Sequence, residues 1–383
     1  MPLPQPCLDG VRILDLTRLL PGPFASWLLV TMGADVIKVE DTGPGDYARY
    51  MPPMIGASSA MHHVVNRGKR SIAVDLKTDE GRAIVLELAS KSDVVFEQFR
   101  PGVIDRLGIG YDALRAVKPD VILCSLTGYG QTGPLASAAG HDMNYQALVG
   151  ALYLQGEAGR KANMTAVPMA DLAGSWASVT AILGALLRRA ATGEGAHLDV
   201  AMADAVGVMA APFTSGWTVD PYERGESLLT GGLACYDTFL TKDGRTLAVG
   251  ALEPKFFARF AEIAGHPEWS GAPPYPGAQQ TALHADVAAA VAERTLDEWT
   301  TALGDADCCV TPVLTPAEAG EHPHMDARGL RGRSDGAVWV ESPFGPAPAS
   351  AAPSQGEHTD AVLVELGRDA EAIAALRTQG VVR

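Results

Sequence analysis

Short apolar runs alternate with segments of helical spacing through the first two hundred residues, and this rhythm limits the fold more than any other property of the chain. Residues 11–16 (VRILDL) have the continuous apolar character of a strand buried on both faces. A Pro/Gly turn (LLPGP) follows, and then FASWLLVTMG over 24–33, whose spacing predicts a helix ending on glycine. DVIKVE reads as the second strand. The pattern repeats with SIAVDL and the helix EGRAIVLELASK, with DVVFEQF and the helix YDALRAVKP, and with the strand VILCSLTG. Strands separated by single helices predict βαβ units and a parallel sheet.

A further helix is predicted over 172–191, closed by Thr192-Gly193 and followed by the strand HLDVAM. Beyond Met209 the periodicity fades into Gly/Pro/Ser-rich sequence. YDTFLTKDGRTLAVGAL then holds two strand-like runs about Lys242-Asp243-Gly244, a hairpin signal. Helical spacing returns over 254–265, 283–294 and 296–303. A second Pro/Gly-rich stretch, 342–356, precedes the closing helix DAEAIAALRTQG. The predicted architecture is α/β. A large Rossmann-like domain with a parallel sheet covers 1–205, and a linker covers 206–224. A smaller α+β domain follows over 225–325, then a second linker over 326–356, and 357–383 returns to the large domain.

Charge narrows the partners. Thirty Lys and Arg stand against 45 Asp and Glu, a formal charge of −15, which argues against nucleic acid or an anionic membrane as a general partner. An anionic ligand must be met by local basic clusters. Five cysteines (Cys7, Cys124, Cys235, Cys308, Cys309) form no CxxC pair and no metal-ligand spacing, so neither a disulfide framework nor a metal site is expected. The start, MPLPQPCLDG, lacks the basic and apolar regions of a signal peptide, and no apolar run approaches the ~18 residues of a membrane span. The expectation is a soluble cytoplasmic protein.

The usual cofactor and nucleophile signatures are missing. The first turn, Leu20-Pro21-Gly22-Pro23-Phe24, is no GxGxxG, and Pro23 lacks an amide that would face a pyrophosphate, so a dinucleotide reading is weak. No P-loop, HExxH or GxSxG occurs. Two polar clusters remain. Asn66-Arg67-Gly68-Lys69-Arg70, with Arg100 and Arg106, either meets phosphates at strand ends or forms an ordinary solvated turn. Gly140-His141-Asp142-Met143-Asn144-Tyr145 opens an apolar helical stretch, and thirty residues after His141 comes Asp171 at a helix start. Each has a bland reading: a hydrogen-bonded junction histidine, and an N-cap aspartate accepting exposed amides.

Ordered along the chain, LLPGPFASWLLVTMGADVIKVE, NRGKRSIAVDLK, FRPGVIDRLG, LTGYGQTGP, AGHDMNY, TGEGAHLDVAMAD, YDTFLTKDGRTLAVGALEPKFF and HTDAVLVELGRDAEAIAALR resemble the class III coenzyme A transferase superfamily of CaiB/BaiF type. Within it the chain is most similar to the α-methylacyl-CoA racemase branch. That branch carries Gly-His-Asp-x-Asn-Tyr (140–145 here), Asp-x-x-Gly (Asp171 and Gly174) and Gly-Ala-Leu-Glu-Pro (250–254). Transferase members usually place another residue where His141 stands and use the aspartate alone, as a nucleophile.

The resemblance implies racemisation of 2-methylacyl-CoA thioesters by 1,1-proton transfer through an enolate, with no cofactor, coenzyme A being part of the substrate. Histidine suits a neutral-pH acid/base role, and a carboxyl group suits its partner if its surroundings raise its pKa. By resemblance His141 and Asp171 are the bases, Glu253 orients the histidine and Tyr236 lines the site. Amides at the helix start Asp171–Gly174 would stabilise the enolate, and that same helix end would favour an ionised Asp171, against burial. The coenzyme A moiety would lie along Ala73, Val74, Asp75 and Leu76, then Phe99, Arg100 and Arg106. The loop Gly140, Asp142, Met143, Asn144 and Tyr145 would close over the pantetheine end. Asp41 stands where a basic residue is frequent, which removes one expected phosphate contact. Met143, Met169 and Leu172 suit either an acyl pocket or a plain core. The family forms an interlocked homodimer, and the linkers would then be the crossing segments. A CoA-transferase with Asp171 as nucleophile is the alternative activity, and a non-catalytic acyl-CoA-binding protein is the third reading.

Overall fold

The computed structural model describes residues 6–273, 275–334, 336–345 and 350–383. Six strands pair in parallel: β1 (Arg12–Asp15), β2 (Asp35–Glu40), β3 (Arg70–Ala73), β4 (Val94–Glu97), β5 (Ile122–Thr127) and β6 (Ala196–Ala201). Their order across the sheet is β3-β2-β1-β4-β5-β6, the doubly wound order in which the chain reverses direction between β1 and β4. The parallel α/β sheet expected from the apolar rhythm is therefore present. Ile13, Ile37, Val94 and Ile122 are fully buried, as strands covered on both faces require.

The helices form where the sequence supplies their ends. Helix α1 (Pro21–Thr31) starts inside the segment read as a Pro/Gly turn. A first-turn amide has no intrahelical acceptor, so Pro21 costs the helix nothing and its fixed φ favours the start. Helix α2 (Asp79–Ser90) is capped by Thr78, whose hydroxyl accepts the Gly81 amide, and has Asp79 and Glu80 in its first turn. Helix α3 is Tyr111–Val117 and α4 is Asp142–Leu148. The long α5 (Met169–Thr192) ends at Gly193 in the left-handed conformation, φ 73°. It is long and apolar enough to pass for a membrane span, against the expectation above, but it packs on α1, β5 and β6 and carries Arg188 and Arg189 in its last turns.

Contacts divide the chain into a larger unit (1–149, 167–209 and 320–383) and a smaller one (150–166 and 210–319). In the larger unit, Leu14, Ile37, Ile72 and Leu123 of the sheet share a core with Leu88 of α2, Leu114 of α3, and Val362, Leu363, Ile373 and Val382 of the last segment. That segment lies along the edge strand β3. The His358 amide donates to the Ser71 carbonyl, Asp75 to Val381 and Arg383 to Ala73, so the outer edge is covered rather than open to pairing.

The predicted linkers are more ordered than their composition suggests. Helix α6 (Met202–Val219), with Pro212 inside it, fills most of 206–224. In the smaller unit β7 (Tyr236–Leu240), β8 (Thr246–Gly250) and β9 (Val310–Pro312) form an antiparallel sheet in the order β9-β8-β7. Gly244, at φ 71°, makes the turn that Lys242-Asp243-Gly244 announced. Helices α7 (Pro254–Ala264), α8 (Gln279–Val291) and α9 (Leu296–Leu303) complete the unit, packing Phe257, Phe260, Trp269 and Trp299 on Leu247 and Val249. The second predicted linker holds a hairpin of β10 (Arg331–Ser334) and β11 (Ala337–Val340), while 335 and 346–349 within it, like residues 1–5 of the chain start, lie outside the described residues.

Candidate active site

Ligands of doubly wound sheets bind outside the carboxyl ends of the strands where the order reverses. Two cavities of the larger unit open there. The first, of about 190 Å³, is lined by residues 16–18 after β1, 38–41 at the end of β2, 74–77 after β3, and Phe99. The second, of about 370 Å³, is lined by residues 98–101 after β4, 126–129 after β5, Met202 after β6, and Gly140, His141, Asn144 and Tyr145. Phe99 belongs to both walls.

The residues expected along coenzyme A sort onto this geometry unevenly. Val74, Asp75, Leu76 and Phe99 line the first cavity, and Arg100, Gly140, Asn144 and Tyr145 line the second. Ala73 is wholly buried in β3 and offers no side chain to a ligand. Arg106 is exposed and lines neither cavity. Met143 and Met169 are exposed, and neither is core. Tyr236 opens β7 and Glu253 is the exposed N-cap residue of α7, both in the smaller unit.

Of the basic cluster, Arg67, Lys69 and Arg70 are taken up by partners within the chain. Arg67 makes two hydrogen bonds to Glu341 at 2.8 and 2.9 Å, Arg70 pairs with Asp35 and Glu365, and Lys69 is buried against Asp15, Asn66 and the Pro23 carbonyl. These residues lie at the amino end of β3, away from the carboxyl ends where the cavities open. At the first cavity Glu40 is bound by Arg49, and Lys38 by Asp46 at 2.9 Å. The exposed cations left on its lining are Arg18 and Lys77, neither singled out from sequence. Asp41 is exposed and accepts the amides of Gly43 and Gly45, and it does not supply the missing phosphate contact.

His141 is the N-cap residue of α4, its amide bonded to Asn144 Oδ1 at 3.0 Å. Tyr145 donates to the Gly140 carbonyl at 2.6 Å, and its ring lies so close that a Cβ on Gly140 would stand 2.8 Å from it. Burial first, then the neighbouring Asp171 carboxyl, pushes the Tyr145 phenol up to about 12.

Asp171 is not the cap of its helix. It stands in the first turn of α5, and Asp142 takes the capping role from the neighbouring helix. Asp142 Oδ1 accepts the amides of Ala170 at 2.6 Å and Asp171 at 3.2 Å, while Oδ2 accepts from Gln146 at 2.6 Å. The expected oxyanion donors at the head of α5 are thus already engaged, and Asp142, expected against the ligand, joins the starts of α4 and α5. Among the described residues no donor reaches the Asp171 carboxyl. Burial, then the Asp142 charge, pushes it up to about 6. Burial wins the competition the sequence left open. Asp171 is not on the lining of the second cavity, but Tyr145, which feels its charge, is.

The chain matches the profile of CoA-transferase family III over residues 8–360. It belongs to that family. It is 33% identical to α-methylacyl-CoA racemase of Homo sapiens over 395 residues, covering 98% of this chain and 97% of that one. It is equally, at 33%, identical to acetyl-CoA:oxalate CoA-transferase of Acetobacter aceti, with 89% of each chain covered. The crystal structure of a CAIB/BAIF family protein from Brucella suis superposes with a TM-score of 0.81 at 32% identity, covering 96% of this chain and all of that one. The protein is an enzyme of CoA-transferase family III, and both isomerase and transferase relatives are similar to it. Among the described residues no group of three or more His, Cys, Asp or Glu is arranged to hold a metal.

Proposed function

We propose that the protein racemises 2-methylacyl-CoA thioesters by moving one proton from one face of the α-carbon to the other. The observation that carries this reading is a carboxyl group, Asp171, held near neutrality on its titration, at a helix start tied by Asp142 to the helix that begins at His141. A base and an acid with pKa values near the working pH are what proton exchange beside a thioester carbonyl needs. One group takes the α-proton, leaving an enolate, and the other returns a proton on the opposite face. With the Ala170 and Asp171 amides engaged, the enolate oxygen falls to donors on the cavity wall: Arg100, Tyr129 and Asn144. The adenosine end occupies the first cavity near Arg18 and Lys77, and pantetheine passes Phe99. By family resemblance the chain works as an interlocked homodimer, with Tyr236 and Glu253 contributed by a small unit.

The transferase reading keeps a claim because a transferase relative is as similar as the racemase. There Asp171 attacks the thioester carbonyl, forms an acyl anhydride and releases the CoA thiolate. Incubation of a 2-methylacyl-CoA in deuterium oxide separates the two. Racemisation predicts exchange of the α-hydrogen, lost in His141→Ala. No exchange by the wild type, together with a hydroxylamine-trapped acyl group on Asp171, would establish the transferase instead.

A further inference from the structure

Glu97 ends β4 as a carboxyl group inside an otherwise apolar strand, VVFE, and is 1% exposed. No cation faces it. Its Oε2 accepts the Phe99 amide at 2.6 Å, and Ser125 stands opposite it on the neighbouring strand. Ser125 Oγ lies 3.0 Å from Nε2 of His197, which is exposed on β6. Glu97, Ser125 and His197 stand on the adjacent strands β4, β5 and β6. A buried acid with no counter-ion is costly unless it is neutral or well bonded, so a function should attach to what it holds. What it holds is the residue that lines both cavities.

The turn after β4 has few other anchors. Gln98 accepts the Gly22 amide at 3.2 Å, and Val103 bonds back to Arg100 at 3.0 Å. Gly102 at φ 75° then redirects the chain. Between these points, among the described residues, the Phe99 amide has only the Glu97 carboxyl. We propose that Glu97 is a positioning residue for coenzyme A: its buried carboxyl holds the Phe99 amide and so fixes the wall between the nucleotide cavity and the reacting cavity. This rests on the reading that one coenzyme A thioester spans both cavities.

The carboxyl keeps this bond in either ionisation state. Burial pushes Glu97 up to about 7, with Ser125, the Phe99 amide and the more distant Asp105 as the remaining influences. Oε2 remains free to accept the Phe99 amide whether the carboxyl is ionised or carries its proton on Oε1.

The test uses the full-length protein and coenzyme A itself, titrated by calorimetry. Glu97→Ala is expected to weaken coenzyme A binding about tenfold, the loss of one well-placed buried hydrogen bond. Glu97→Gln, which keeps an acceptor for Phe99, is expected to restore affinity to within about twofold. In turnover the Ala variant raises KM with kcat little changed. Equal affinity of Glu97→Ala and wild type, or a Gln variant as weak as Ala, overturns the assignment. Because the Ala variant could fail to fold, amide exchange is read in the wild type too. A slowly exchanging Phe99 amide supports the bond, and a fast one overturns it. If the wild type binds no coenzyme A, the coenzyme A reading fails. If it binds but exchanges no α-hydrogen, only the racemase reading fails, and the titrations still judge Glu97.

Discussion

Replacing Asp142 by asparagine separates two things that this carboxylate does at once. Its Oδ1 accepts the Ala170 and Asp171 amides, and its charge opposes ionisation of Asp171. Asparagine keeps the acceptor and deletes the charge, so the joint between α4 and α5 should survive. Asp171 sits at about 6 against an ordinary 3.8, a gap of about two pH units, with burial as the larger cause and Asp142 as the smaller. The Asp142 share is therefore at most about one pH unit, in the range expected of a like-charged neighbour.

In Asp142→Asn the Asp171 carboxyl should titrate lower by up to about one pH unit, and the carboxyl-dependent limb of the exchange rate should move with it. Asp142→Ala should show the same titration change plus a loss of stability of about 1–3 kcal/mol, because two amides at the head of α5 lose their acceptor. The assay is a carbon-13 titration of the Asp171 carboxyl beside the pH profile of α-hydrogen exchange. An Asp171 titration unmoved in Asp142→Asn would refute the electrostatic coupling, and unchanged stability in Asp142→Ala would refute the capping role.

Three further outcomes follow from the same coordinates. A carboxyl whose folded-state value lies above its unfolded one binds its proton more tightly when folded, so stability falls as pH rises from about 3.8 through about 6. Asp171→Asn removes that penalty and should be more stable than wild type by about 1–2 kcal/mol at pH 8 after allowing for solvent screening, converging below pH ~4, as read by denaturant unfolding. Lys69→Met leaves Asp15 buried without its nearest cation and should cost about 3–5 kcal/mol, while a change in coenzyme A affinity would contradict its internal role. In Gly174→Ala the new Cβ would stand 2.6 Å from Met202 Cγ and 3.2 Å from Leu126 Cδ1. Met202 lines the second cavity, so KM should rise several-fold, and an unchanged KM would show that Met202 moves elsewhere.

The sheet was legible because strands β1 to β5 are largely buried on both faces and read as short, mostly apolar runs bounded by turns, whereas the edge strand β6 alternates. What sequence reading missed in the fold has one character: residues usually taken as breakers sat where they break nothing. Pro21 starts α1, where no amide bond is lost, and Pro212 lies inside α6 in a stretch whose Gly, Pro and Ser content looks like a linker. Composition reports the average cost of such residues, whereas position in the first turn, or packing, sets the actual one.

At the site, legibility depended on how far apart the partners lie in sequence. The motif Gly140–Tyr145 could be read because its bonds are local: His141 to Asn144, and Tyr145 to Gly140. The basic cluster 66–70 was ambiguous because the acids that neutralise it lie 54, 35, 274 and 295 residues away, at Asp15, Asp35, Glu341 and Glu365. No local pattern distinguishes an arginine with such a partner from one awaiting phosphate. Asp142 was placed against the ligand for the same reason, since its amide partners lie 28 and 29 residues on. Glu97, by contrast, did carry a local signal, an acid closing a buried strand just before Phe-Arg-Pro-Gly. A charge in a position that should be apolar is explained by a partner or by a task, and here the partner is an amide two residues on rather than a cation. The two acids thus act on the backbone: Asp142 accepts the Asp171 amide at the head of α5, and Glu97 accepts the Phe99 amide in the turn after β4.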